Sequence, residues 1–163
     1  MTLIDVSQEI VNLAKVAFVS MLPIFELRGG IPLGIIGHGI TWWKVFLVSV
    51  IANIFPVPII LKLMYPMEKW LRQWKTWNRL FSWLFAHTRK RTEKKIERWE
   101  ELGLVLFVAI PLPVTGAWTG SLAAYLFNLN FRKSLLCIIA GVLIAAVIIT
   151  LASITGFNLF LDV

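Results

Sequence analysis

The sequence predicts an all-α integral membrane protein, and three observations carry that reading. Of its 163 residues, 58% are hydrophobic and the mean hydropathy is +0.79, whereas soluble domains hold about 45–50% apolar residues. The apolar runs at 45–64 and 134–161 are long enough to cross a bilayer, which takes about 20 helical residues for ~30 Å of hydrocarbon. The runs at 10–25, 31–41, 102–110 and 121–129 are too short, and they come in pairs around Gly/Pro breaks. Ten of the sixteen Lys and Arg, with five of the nine acids, fall in 65–101, so that segment carries +5 of the net +7. Such clusters beside a span mark the cytoplasmic side and attract anionic headgroups.

Taken in order, residues 3–25 read as an apolar helix that begins with polar residues, Asp5 and Glu9 among them, carries Lys15 as its one later charge, and ends at a break over Pro23 to Arg28. The limb 31–41 returns through Gly34, Gly37, His38 and Gly39, with His38 read as an interfacial turn residue. Trp42, Trp43 and Lys44 form an aromatic belt anchor. The span Val45–Met64 is expected to kink at Asn53, Pro56 and Pro58. Trp70, Trp74, Trp77, Phe81 and Leu84 recur every three or four residues, with Arg72, Lys75 and Arg79 pointing elsewhere. That pattern suits a helix lying among headgroups. Residues 89–101 read as a solvated charged helix ending near Gly103, joined by pairs such as Arg89/Glu93. A second break, Pro111 to Gly120, is followed by the limb Ser121–Leu129 and the span Ser134–Leu161, with Gly141 inside it.

The two halves share one order: short apolar run, break, short limb, full span. Shifting by 86 residues lays Gly30 and Gly34 on Gly116 and Gly120, and shifting by 88 lays Pro23 on Pro111 and Asn53 on Gly141. With the basic block inside, the first span runs inward and the last outward. The hairpins then enter from opposite faces as an inverted repeat with a midplane site. The expected layout is one membrane domain in a multi-pass cytoplasmic (inner) membrane protein. Residues 1–64 form the first repeat, 65–101 an amphipathic cytoplasmic connector and 102–163 the second repeat, each repeat a re-entrant helical hairpin plus a transmembrane helix.

The breaks carry the chemistry. Glu26-Leu27-Arg28-Gly29-Gly30-Ile31-Pro32-Leu33-Gly34 holds the one close acid–base pair within an apolar region. A charge at membrane depth costs roughly 2.5–3.5 kcal/mol on insertion scales and marks function by default. Residues two apart share no helix face, so this is not an ordinary surface pair. Gly29, Gly30 and Pro32 are expected to break the helix there, and broken backbone at that depth must be buried by protein or line a cavity. The spacings Gly30/Gly34 and Gly116/Gly120 allow close approach of the hairpins.

ELRGGIPLG at 26–34 and PLPVTGAWTG at 111–120 together resemble the bacterial and archaeal family known as putative small multidrug export proteins. The similarity covers roughly residues 10–64 and 96–160. The family's Glu, Arg, Gly and Pro fall on Glu26, Arg28, Gly29 and Pro32. Its second motif falls on Pro111, Pro113, Thr115, Gly116, Ala117, Trp118 and Gly120, with Val114 where a small residue is usual. More distantly, the architecture is similar to the DedA superfamily, whose paired hairpins are linked to moving lipids, polyprenyl phosphate carriers included. The resemblance implies a membrane transporter whose substrate site uses these residues.

The residue chemistry favours an anionic headgroup. Arg28 offers a planar set of donors for a phosphate, helix N-termini at the breaks add N–H groups, and Thr115 and Thr119 supply hydroxyls. Glu26 is the proton-coupling candidate, since burial and Arg28 pull its proton affinity in opposite directions. The expected function is therefore flipping of a phospholipid or polyprenyl phosphate. One alternative is export of cationic or amphiphilic drugs, with Glu26 and Trp118 as acid and aromatic wall, although Arg28 would repel a cation. Another is a scaffold that transports nothing. No enzyme, cofactor or metal is expected: the sequence has no metal-ligand cluster, no Ser/His/Asp set and no phosphate loop. Lone Cys137 supports no disulfide framework, and the N-terminus lacks the basic region of a cleaved signal. Membrane lipids are the expected partners of 66–99 and an amphiphile the expected substrate. Tryptophans threaded through the basic block argue against nucleic acid, and a homo-oligomer is left open.

Overall fold

A computed structural model describes residues 3–71, 94–112, 115–127 and 129–161. Among them every regular element is helical. Helix α1 (Leu3–Met21) leads through a break at 22–25 into α2 (Glu26–Pro32), which widens into a π-helical turn over Leu33–Gly37. Helix α3 (Trp42–Ile54) abuts α4 (Pro56–Leu71). Helix α5 (Lys94–Ala109) leads through a second break into α6 (Ala117–Leu126), and α7 (Phe131–Leu161) closes the chain. Two stretches are long and apolar enough to cross a membrane: Trp42–Met64, with mean hydropathy 2.1 over 23 residues, and Phe131–Gly156, with 3.0 over 26.

The packing is that of a bundle made for lipid. On α7, Val142, Ala145, Ala146 and Ile149 are buried while Leu143, Ile144, Val147, Ile148 and Leu151 face outward. A helix apolar on every side has no water-facing surface to offer. Inside, Val16, Leu27, Ile31, Val45, Val57, Leu104, Val108 and Ile138 form one core that draws on both halves. Each short helix packs on its own entering helix and also on the other half's long one: α2 on α7, and α6 on α4. Ion pairs occupy matching places. Glu9 on α1 meets Lys44 at the start of α3 at 2.5 Å, and Glu101 on α5 meets Lys133 at the start of α7 at 2.8 Å. Both pairs are partly exposed, so each contributes about 0–1 kcal/mol.

Glycine allows the close contacts. A Cβ on Gly30 would overlap Ser20 Oγ of α1, and one on Gly120 would lie 2.5 Å from Val108 of α5. The approach that small-residue spacing predicts is real, but at these two positions it joins each short helix to its own hairpin partner.

Two expectations need correction. Gly29, Gly30 and Pro32 do not break the helix; all three lie within α2, and the break comes earlier, at 22–25. Burial of Leu27, Gly30 and Ile31 outweighs the weak helix propensity of glycine. Pro32 acts downstream, where its missing N–H is followed by the π turn. Gly103 does not end a helix, because α5 runs through it from the charged stretch into the apolar one, past the 101/102 boundary. A single glycine facing open space costs only about 1 kcal/mol. The kink near Asn53, Pro56 and Pro58 is present as the interruption at Phe55 between α3 and α4. Of the tryptophan stripe, Trp74, Trp77, Phe81 and Leu84 lie outside the described residues, as does most of the basic connector.

Candidate functional site

A helix that stops leaves its last carbonyls without intrahelical partners. At the first break the rest of the protein satisfies them. Asn53 Nδ2 donates to Ser20 O (2.9 Å), Trp118 Nε1 to Met21 O (3.1 Å), and the Glu26 N–H to Leu22 O (2.9 Å). At the second break, Leu112 O accepts the Thr115 N–H (3.2 Å) and the guanidinium of Arg28. Arg28 also donates to Thr115 Oγ1 at 3.0 Å, and that hydroxyl lies 2.8 Å from Ile110 O and 2.9 Å from Leu112 O. The exchange is reciprocal. Trp118, second residue of α6, closes the end of α1, and Arg28, third residue of α2, holds Leu112 O and Thr115 in the break that follows α5.

Glu26 completes the junction. Its carboxylate accepts the backbone N–H groups of Ala117 and Trp118, the latter at 3.3 Å, and so caps α6 from 91 positions or more away in sequence. The residue is 5% exposed and holds φ +50°, a conformation that L residues rarely adopt. Negative charge at a helix N-terminus is favoured by the unpaired N–H groups and the dipole. Gly116, at φ +150°, lies under the carboxylate, where any Cβ would overlap it.

Above this junction opens a cavity of about 360 Å³ lined by Pro23, Ile24, Phe25, Glu26, Arg28, Thr115 and Thr119. Ile24 and Phe25 are 85% and 53% exposed, forming an apolar lip beside a polar floor. The arrangement can hold a polar head against Arg28 and the hydroxyls while an apolar tail stays outside.

The predicted site residues separate into groups. Glu26, Arg28, Thr115 and Thr119 line the cavity, and Gly116 and Trp118 support Glu26 from behind. Gly29 lies beneath Phe25, Gly30 lies on α1, Gly120 lies on α5, and Pro32 begins the π turn. Pro111 is exposed in the break, and Pro113 is outside the described residues. One expectation is narrowed: at the start of α6 the N–H groups of Ala117 and Trp118 face the Glu26 carboxylate rather than a ligand. Sequence reasoning missed Ile24 and Phe25 as lip residues, although both stand in the break it located. It read Asn53 only as a kink. A polar side chain four residues after buried Ser49 was the signal that it faces protein. Among the described residues no three His, Cys, Asp or Glu side chains come together to hold a metal.

Two apolar spans, an outward face of aliphatic side chains and a charged junction between two interrupted segments define a membrane protein with an internal polar site. Residues 26–148 match the family described as "Putative small multi-drug export protein", and the chain belongs to it. That description is of multi-drug export. No curated protein and no solved structure matches the chain, and the resemblance to DedA proteins is not shown.

Proposed function

We propose that the protein is a transporter that moves amphiphiles across the membrane through the junction of two re-entrant hairpins. The favoured substrate class is an anionic lipid, a phospholipid or polyprenyl phosphate, with its head on Arg28. The single observation that carries this is the cavity: a guanidinium and two hydroxyls on its floor, an apolar lip at its mouth. Glu26 does not compete for a cationic substrate, since its carboxylate is held by the N–H groups of α6. That leaves Arg28 as the cavity's available charge. Export of amphiphilic drugs is the second reading, favoured by the family's description.

An inverted repeat supports alternating access here. Its support is the matching element order, the matching ion pairs Glu9–Lys44 and Glu101–Lys133, and the reciprocal bonds of Arg28 and Trp118. In this scheme the basic connector lies on the cytoplasmic face of the cell membrane, and both hairpins are re-entrant. Protonation of Glu26 would weaken its hold on α6, linking pH to the junction.

Reconstitution tests the substrate class. Protein in liposomes should accelerate transbilayer movement of a labelled lipid phosphate, and unlabelled lipid phosphates should compete. Glu26→Gln should keep substrate binding while the pH dependence of movement flattens. Movement of a lipophilic cation with no effect on lipid phosphate would establish the drug reading instead, and movement of neither would leave a scaffold.

A further inference from the structure

We infer that the end of α1 and the facing turn of α3 form a binding site for a sodium-sized monovalent cation, with Ser20, Ser49 and Asn53 as oxygen donors. All three residues are fully buried, at 0% exposure, and Ser20 Oγ, Ser49 Oγ and Asn53 Oδ1 have no hydrogen-bond partner among the described residues. Buried polar atoms in native proteins are almost always paired, and an orphan points to an ion or water at the site. Three orphans in one neighbourhood point more strongly.

That they share a neighbourhood follows from the contacts. The Asn53 amide nitrogen is 2.9 Å from Ser20 O, which places the Asn53 side chain at the end of α1. Ser49 precedes Asn53 by four residues on α3 and so shares its face. On the other side Ser20 Oγ abuts the backbone of Gly30, where a Cβ would overlap it, with Val16 O 3.1 Å from the same point. Glycine at position 30 is thus what lets the Ser20 hydroxyl sit there, and any side chain at that position would displace it.

Its electrostatics favour a cation. Helix α1 ends at Met21, so its last carbonyls and the negative end of its dipole face this point. Interrupted helix ends in transporters coordinate sodium with such carbonyls. The donors are neutral oxygens, with no nitrogen or thiolate ligand, as a hard ion prefers. A divalent ion would need countercharge, and the carboxylate of Glu26 is committed to α6. None of the three residues lines the cavity at Arg28. This is a second site, and it stands without the transport reading.

The test uses purified full-length protein in detergent without substrate, at fixed pH and ionic strength, with choline chloride replaced stepwise by sodium chloride. Tm should rise and saturate, by about 3–5 °C at ten times the dissociation constant. Potassium should give less than half that rise. Asn53→Ala would also uncap Ser20, so Ser49→Ala, which removes an unpartnered hydroxyl, is the cleaner variant. In choline its Tm should equal or exceed that of the parent, and its sodium increment should fall by more than half. A parental Tm equal in the two salts, an equal response to potassium, or a full increment in Ser49→Ala would each overturn the assignment. A sodium increment in protein that moves no amphiphile would sink the transport reading and leave the cation site standing.

Discussion

Gly116→Ala is expected to be among the most damaging single substitutions in this chain. The new methyl would occupy the place of the Glu26 carboxylate, and the backbone there, at φ +150°, is one that alanine resists. Strain of this kind costs about 1–3 kcal/mol, and driving a buried carboxylate from its partners costs about 3–5 kcal/mol. The two do not simply add, since the carboxylate can relieve part of the clash by moving. A loss of about 3–5 kcal/mol is expected, lowering Tm by roughly 10 °C for a chain of this size. Gly103→Ala is the internal control. It lies inside α5 facing open space, so the helix should gain up to about 1 kcal/mol. Thermal unfolding of both variants in one detergent checks the pair. Equal destabilisation would show that the junction is not tightly packed around Gly116.

Arg28→Ala should be comparably severe, because it takes the guanidinium from Leu112 O and Thr115 Oγ1 and leaves the buried Glu26 without its neighbouring countercharge. Removing one partner of a buried charged network costs about 3–5 kcal/mol, and loss of folding would mask any effect on substrate. Arg28→Lys separates the two roles. Lysine keeps the charge but lacks the planar fork that reaches Leu112 O and Thr115 at once. A charge-assisted bond contributes about 1.5–3 kcal/mol, so affinity for an anionic head should fall about 10- to 100-fold in protein that still folds. Binding of a labelled lipid phosphate, compared at equal amounts of folded protein, reads this directly. Unchanged affinity in Arg28→Lys would mean that Arg28 serves only to hold the second break.

Much of the fold was legible because membrane burial is written in run lengths. The two spans and both breaks follow from where apolar residues stop and where Gly and Pro intervene. What stayed hidden depended on distant partners. Gly29 and Gly30 read as helix breakers because nothing local reveals that α1 will press against them. Gly103 read as a stop because a lone glycine looks the same in a turn and in a helix with room around it. Glu26 and Arg28 were found as costly charges, but the sequence paired them with each other. In the structure each also serves the backbone of the other half, the N-terminus of α6 for Glu26 and Leu112 O in the second break for Arg28. No spacing rule reaches across some 90 residues. Asn53 was misread for the same reason: a polar residue near two prolines looks like part of a kink until Ser20 O is seen beside it.

Photoaffinity labelling tests most directly whether an amphiphile's anionic head binds where the two breaks meet. A phosphate-headed lipid carrying a diazirine next to its head, irradiated with the reconstituted protein, should label the segments 22–28 and 115–119. A short-chain alkyl phosphate in excess should suppress that labelling, and so should Arg28→Lys. Labelling confined to other segments, or labelling of these segments indifferent to both competitor and Arg28→Lys, would contradict the account.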